Sequence, residues 1–78
     1  MGEEVFASYE RWPNKVVKVF VSKYLGKRYI HIRELWRAEA GGEWQYGKGL
    51  TLSYDDVKAI DAVIAGLEAV RKRVVEGG

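Results

Sequence analysis

Side chains able to do chemistry on their own are scarce in this chain. There is one histidine, His31, and no cysteine. A nucleophilic triad therefore has no second base to draw on, and a metal site would rest on carboxylates without thiolate or further imidazole ligands. Asp55, Asp56 and Asp61 are better explained as helix-start and surface charges than as a paired acid and base. Gly47-Lys48-Gly49 lacks the spacing of a phosphate-binding loop. The expectation is no catalytic residue, no metal, no cofactor and no enzyme. What the chain does hold is Phe20, Tyr24, Tyr29 and Trp36 among Lys18, Lys27, Arg33 and Lys48. Rings offer stacking platforms for bases and cations neutralise phosphates, the two parts of a single-strand binding surface. The same pattern also describes half-buried cross-strand aromatic pairs beside a solvated cationic face.

These residues fall on two stretches that read as strands. Lys15 to Tyr24 (KVVKVFVSKY) and Arg28 to Trp36 (RYIHIRELW) are β-branched and aromatic and flank a short Leu25-Gly26 turn, the signature of a hairpin. A register with Lys23 opposite Arg28 pairs Val21 with Ile30 and Val19 with Ile32, which places the aliphatic residues on one face and predicts that face as the core. Lys18, Phe20 and Ser22 then share the other face with Arg33, His31 and Tyr29. Leu25 is a poor residue for positive φ, so a four-residue loop from Tyr24 to Lys27 competes with a tight primed turn. Glu43 to Tyr46 reads as a short strand, Gly47-Lys48-Gly49 as a flexible corner, and Leu50 to Ser53 as a further strand.

Ser53 is predicted as a helix N-cap with Asp56 three residues on. Val57, Ile60, Val63, Ile64, Leu67, Val70 and Val74 then recur at helical spacing up to Gly77 and Gly78, with Arg71, Lys72 and Arg73 near the negative end. The stripe is broad, and Gly66 in its middle costs about 1 kcal/mol against alanine, which fits close approach of a second backbone. A symmetric homodimer through Ile60, Val63, Gly66, Leu67 and Val70 is the expectation. It also suits a chain of 78 residues, which buries only roughly 60% of its unfolded surface and usually needs a disulfide, metal or partner subunit.

Residues 1–14 carry Val5, Phe6, Tyr9 and Trp12 among Glu3, Glu4 and Glu10, with the one proline at Pro13. They read as a partly ordered N-terminal arm, with an edge strand or a partner-binding segment as alternatives, and residues 15–78 as a single domain. Net charge is +2, too mild to announce nucleic acid by itself. No apolar run marks a signal peptide or membrane span, so an intracellular protein of the cytoplasm, nucleoid or nucleus is expected.

The motif G-K-x-x-I-x-I-R-E-x-W from Gly26 to Trp36, with G-K-G-L-T-L-S from Gly47 to Ser53, resembles the transcriptional coactivator Positive Cofactor Four family and its prokaryotic relatives, over roughly residues 15–75. The resemblance implies an α+β fold, a four-stranded antiparallel curved sheet followed by one C-terminal amphipathic helix, dimerised to bind single-stranded or melted DNA with little sequence preference. It also implies that Tyr24 and Trp36 stack on bases and that Lys27, Arg33 and Lys48 contact phosphates. Strict alternation would send Trp36 to the aliphatic side, so a bulge or strand end near Glu34 is expected. Leu25, Gly47 and Val57 depart from the eukaryotic pattern, which implies a weaker electrostatic component. The function read from the sequence is a non-enzymatic single-stranded DNA-binding protein serving transcription, replication or repair. A module docking transcription or replication proteins and a single-stranded RNA binder are the alternatives.

Overall fold

In the computed structural model, which describes residues 3–77, four strands precede one helix: β1 Glu4–Trp12, β2 Lys15–Tyr24, β3 Lys27–Trp36, β4 Gln45–Ser53 and α1 Val57–Val75. The strands form a single antiparallel meander in the order β1-β2-β3-β4. The β2–β3 hairpin has the register expected from its alternation: Lys23 faces Arg28, Val21 faces Ile30 and Val19 faces Ile32, unbroken from Lys15↔Trp36 to Tyr24↔Lys27. Its turn is the two-residue form. Leu25 (φ 51°) and Gly26 (φ 79°) both adopt positive φ, the primed geometry whose twist suits a hairpin. Leu25 is exposed and takes a conformation that costs a residue with a Cβ about 1–2 kcal/mol.

The other two strands differ from the sequence reading. The segment read as an arm contributes β1, an edge strand on β2, the alternative weighed above; Met1 and Gly2 lie outside the described residues. Its pairing shifts between Val5 and Ala7 and between Glu10 and Trp12, so Phe6 and Arg11 are extra residues that bend an exposed edge. The expected short strand, glycine corner and further strand fuse into one strand, β4. Arg33 pairs with Gly49 and Leu35 with Tyr46, so two steps along β3 correspond to three along β4. The bulge expected near Glu34 therefore lies across the sheet, at Gly47-Lys48, and β3 keeps strict alternation. Trp36 accordingly shares the face of Ile30 and Ile32.

Bulging brings the β4 backbone down onto β3, which explains the glycines. A Cβ on Gly49 would meet the Arg33 side chain and stand 2.6 Å from the Ile32 carbonyl oxygen, and one on Gly47 would stand 2.9 Å from the Glu34 carbonyl oxygen. Ser53 remains in β4 opposite Tyr29, so it does not cap the helix as expected. Asp56 does, its Oδ1 accepting from the Ala59 N–H at 3.1 Å, and Lys72 and Arg73 lie in the last turn, favourable at the negative end.

The core also sits opposite to expectation. The buried apolar side chains are Phe20 and Leu35, 0% and 4% exposed, and both belong to the mixed face. Val19, Val21, Ile30 and Ile32 are only half-buried, because no element of the same chain fully covers them. Helix α1 has no buried residue. Replacing Gly49 by alanine is expected to destabilise the fold by about 1–3 kcal/mol, the range for forcing atoms into a filled site, read as a lowered urea midpoint.

Candidate nucleic-acid interface

The mixed face is concave. Glu3 precedes β1 and Tyr46 lies on β4, at opposite edges and different ends of the sheet, positions that a flat sheet would hold on the order of 20 Å apart. Yet the Tyr46 hydroxyl donates a hydrogen bond to the Glu3 carboxylate. The sheet must coil until two opposite corners approach over this face, and Phe20 is what they enclose. The Phe20 and His31 rings stack at 4.7 Å with an interplanar angle of 12°, and Tyr46 lies tilted against both at 5.7 and 6.0 Å. Phe20, expected to stack on a base, therefore stacks within the protein, since a fully buried ring offers no face to a ligand. The bond to Glu3, helped by burial, pushes the Tyr46 hydroxyl up to about 12, so it stays a donor.

Arg33 ties β3 to the β4 bulge. Its guanidinium donates to the Gly47 carbonyl at 3.2 Å and the Thr51 hydroxyl at 2.6 Å and lies 5.7 Å from the Tyr46 ring centre. The Thr51 hydroxyl, accepting from Arg33, has its own proton for His31 Nδ1 at 3.4 Å. That leaves His31 Nε2–H to donate to Ser22 Oγ at 2.8 Å. These contacts are compatible with a neutral imidazole, with the donor and acceptor roles of the two ring nitrogens set by its tautomer. Burial first, then the nearby Arg33 charge, lowers the His31 pKa, against a smaller opposing effect of Glu3.

The residues expected to bind nucleic acid divide into four places. Lys18 and Arg33 are cross-strand partners on the concave face, both half-buried. Tyr24 and Lys27 face each other across the hairpin turn and are exposed. Beside them a cleft of about 360 Å³ is lined by Lys27, Arg28, Tyr29, Ser53, Tyr54 and Asp55, with the Arg28 guanidinium 5.0 Å from the Tyr54 ring centre. Arg28 and Tyr54 were not among the expected residues. Their only signal is the register that brings the end of β4 beside the start of β3. Lys48 is exposed in the bulge.

Trp36 stands apart from these, on the other face and about 30 Å along β3 from Lys27. It lines a cleft of about 590 Å³ with Trp12, Pro13, Asn14, Lys15, Glu34 and Arg37. Trp44 sits at the same end, under the Arg37 guanidinium at 4.3 Å. Trp12 and Arg37 were likewise not anticipated. Arg11 and Lys15 approach Glu34 at 3.8 and 3.9 Å, the ion pairs found among the described residues.

A lowered histidine pKa favours the native state while the ring is neutral, so its contribution is complete above the ordinary value of 6.5 and is lost as pH falls through the native value. Urea midpoints are expected to drop between pH 7.5 and 5.5, and a His31→Gln variant is expected to lose that dependence; equal slopes in both would show that His31 does not carry it.

Comparison with known proteins bears on what such a surface serves. A family model described as Transcriptional Coactivator p15 (PC4) matches residues 12–63, which takes in β2, β3, β4 and the first turns of α1. No curated protein and no solved structure matches the chain. The matched span holds the concave face, the turn cleft and Trp36, and the chain belongs to the PC4 family of DNA-binding transcriptional coactivators.

Proposed function

We propose that this chain binds single-stranded DNA without sequence preference, as a homodimer and without catalysis. The observation that carries the reading is the turn-end cleft. Lys27 and Arg28 line it beside Tyr29 and Tyr54, with the exposed Tyr24 opposite Lys27, and neither cation is held in an ion pair within 4 Å among the described residues. Asp55 also lines the cleft, but cations outside a direct ion pair attract phosphates, and rings at the surface accept the face of any base. Duplex DNA keeps those faces stacked inside the helix, so the preference for single strands follows from the same chemistry. Lys18 and Lys48 extend the cationic track along the sheet. Arg33 adds charge while its guanidinium stays bonded to β4, so it serves as much to hold the bulge as to meet a phosphate.

Affinity for oligo-dT is expected to exceed that for a matched duplex and to fall with salt at a logarithmic slope of about 0.7 per phosphate neutralised. Lys27→Ala with Arg28→Ala should reduce that slope by about 1.4 in total. Titrations at two salt concentrations check both statements, and equal affinity for duplex or a salt-independent constant would remove the reading.

The dimer is supported by what α1 leaves uncovered. Ile60 and Val63 are half-buried, but Leu67 and Val70 are each 60% exposed, and a Cβ on Gly66 would meet nothing within 4 Å. Sedimentation at micromolar concentration is expected to show a dimer. Gly66→Ala favours the isolated helix by about 1 kcal/mol yet is expected to weaken the dimer; a monomer at all concentrations would exclude the assembly.

A further inference from the structure

Asp55 is the one group lining the turn-end cleft that a polyanion repels. It stands beside Lys27, Arg28, Tyr29, Ser53 and Tyr54, yet among the described residues its carboxylate makes no ion pair within 4 Å and accepts no hydrogen bond. The helix does not use it either. Asp56 is the N-cap, accepting from the Ala59 N–H, and Asp55 precedes it. Its place is nonetheless fixed. The Asp56 N–H bonds the Ser53 carbonyl at 3.2 Å, the Val57 N–H bonds the Asp55 carbonyl at 2.9 Å, and the Tyr54 N–H bonds the Arg28 carbonyl at 3.3 Å. The corner between β4 and α1 is thereby tied to itself and to the start of β3. A carboxylate held at the wall of a cationic cleft, with no protein donor on it, is an acceptor for donors that a ligand brings.

The chemistry of the lining restricts which base satisfies it. An ionised carboxylate only accepts hydrogen bonds, arginine and lysine only donate them, and a serine hydroxyl does either. The matching base needs adjacent donors for Asp55 and adjacent acceptors for Arg28. Among the four bases guanine alone has both: N1–H and the N2 amino group lie side by side, and O6 with N7 is the acceptor pair that arginine takes bidentately. Adenine and cytosine set one amino donor beside a ring nitrogen that repels a carboxylate, and thymine flanks its single N3–H with two carbonyls. The N1 edge is paired inside a duplex and free in a single strand. A volume of about 360 Å³, at the small end of ligand pockets, suits one nucleotide.

We infer that the turn-end cleft selects guanine at one nucleotide of the bound strand. Asp55 accepts from N1–H and the N2 amino group, Arg28 donates to O6 and N7 from its seat over the Tyr54 ring, and Lys27 is left for the phosphate. This rests on the single-strand reading above and sharpens it: the cationic track is indifferent to sequence, and selection is confined to this one nucleotide.

The test measures the full chain by fluorescence anisotropy against short labelled oligo-dT strands of equal length, unsubstituted or carrying one central dG, deoxyinosine, dA or dC. The dG strand is expected to bind roughly 5- to 100-fold tighter than the all-dT strand, with deoxyinosine, which lacks the N2 amino group, between them. Asp55→Asn is expected to bring the dG strand to the level of the all-dT strand. Asp61→Asn removes the same charge from α1 outside the cleft and is expected to keep the ratio, which separates recognition from net charge. Should Asp55→Asn fail to fold, the deoxyinosine strand reads the N2 contact on the wild-type chain. Equal affinity for the dG and all-dT strands, equal affinity for dG and deoxyinosine, tighter binding of dC than of dG, or a ratio that survives Asp55→Asn overturns the selection and leaves the single-strand reading standing. Absence of binding to every strand removes both.

Discussion

The structure depends on how the sheet coils around one phenylalanine. A four-stranded meander of this length has two faces to cover, and this chain completely buries one large side chain, Phe20, by bending its own sheet over it. Each device in the sheet serves that bend. The bulges at Phe6 and Arg11 in β1 and at Gly47-Lys48 in β4 add local twist, and glycine at 47 and 49 lets β4 lie against β3 where a Cβ would collide. Arg33 then holds the bulged strand, and Tyr46 reaches across to Glu3. Curvature and the concave face are thus one feature, since the groups that close over Phe20 also bound that face.

Bending toward one face leaves the other thinly covered. Val19, Val21, Ile30 and Ile32 stay half-buried, and the distal turns of α1 expose Ile64, Leu67, Val70 and Val74. At roughly 25 cal/mol per Å² of apolar surface, leaving such a stripe in water forfeits stabilisation that a chain this small can hardly spare. A second copy offers the same stripe in return, which is the self-complementarity that a two-fold interface requires.

The parts legible in the sequence were those fixed by local pattern. The β2–β3 register followed from alternation, because a slip of one residue would mix Val19, Val21, Ile30 and Ile32 with the charged set, and the helical stripe after residue 56 followed from spacing. Errors arose where a distant partner decides. Glu4–Trp12 looked like an arm because its aromatics and acids do not alternate cleanly, and two bulges are the reason. Ser53 looked like a cap because nothing local shows that β4 keeps it. Parity put Phe20 on the mixed face correctly, but no local pattern indicates that the sheet curls and buries it. Arg28, Tyr54, Trp12 and Arg37 went unseen because each acquires its neighbours from another strand, loop or turn.

Net charge is a poor guide to this surface, and the ion pairs show why. The chain carries 13 lysines and arginines against 11 aspartates and glutamates, which looks close to neutral. Among the described residues, however, ion pairing is confined to Glu34 with Arg11 and Lys15, Glu3 is occupied by a tyrosine, and Asp56 is occupied by the helix terminus. With these acids engaged elsewhere, Lys27 and Arg28 of the hairpin stay outside direct ion pairs, with Asp55 lining the same cleft. Ionic strength screens interactions beyond about 8–10 Å, so a phosphate at the surface responds to the cations beside it and little to the total. A chain of modest net charge can in this way present a cationic, aromatic track, and its attraction for a polyanion is set by a few neighbouring side chains held in register by β2 and β3.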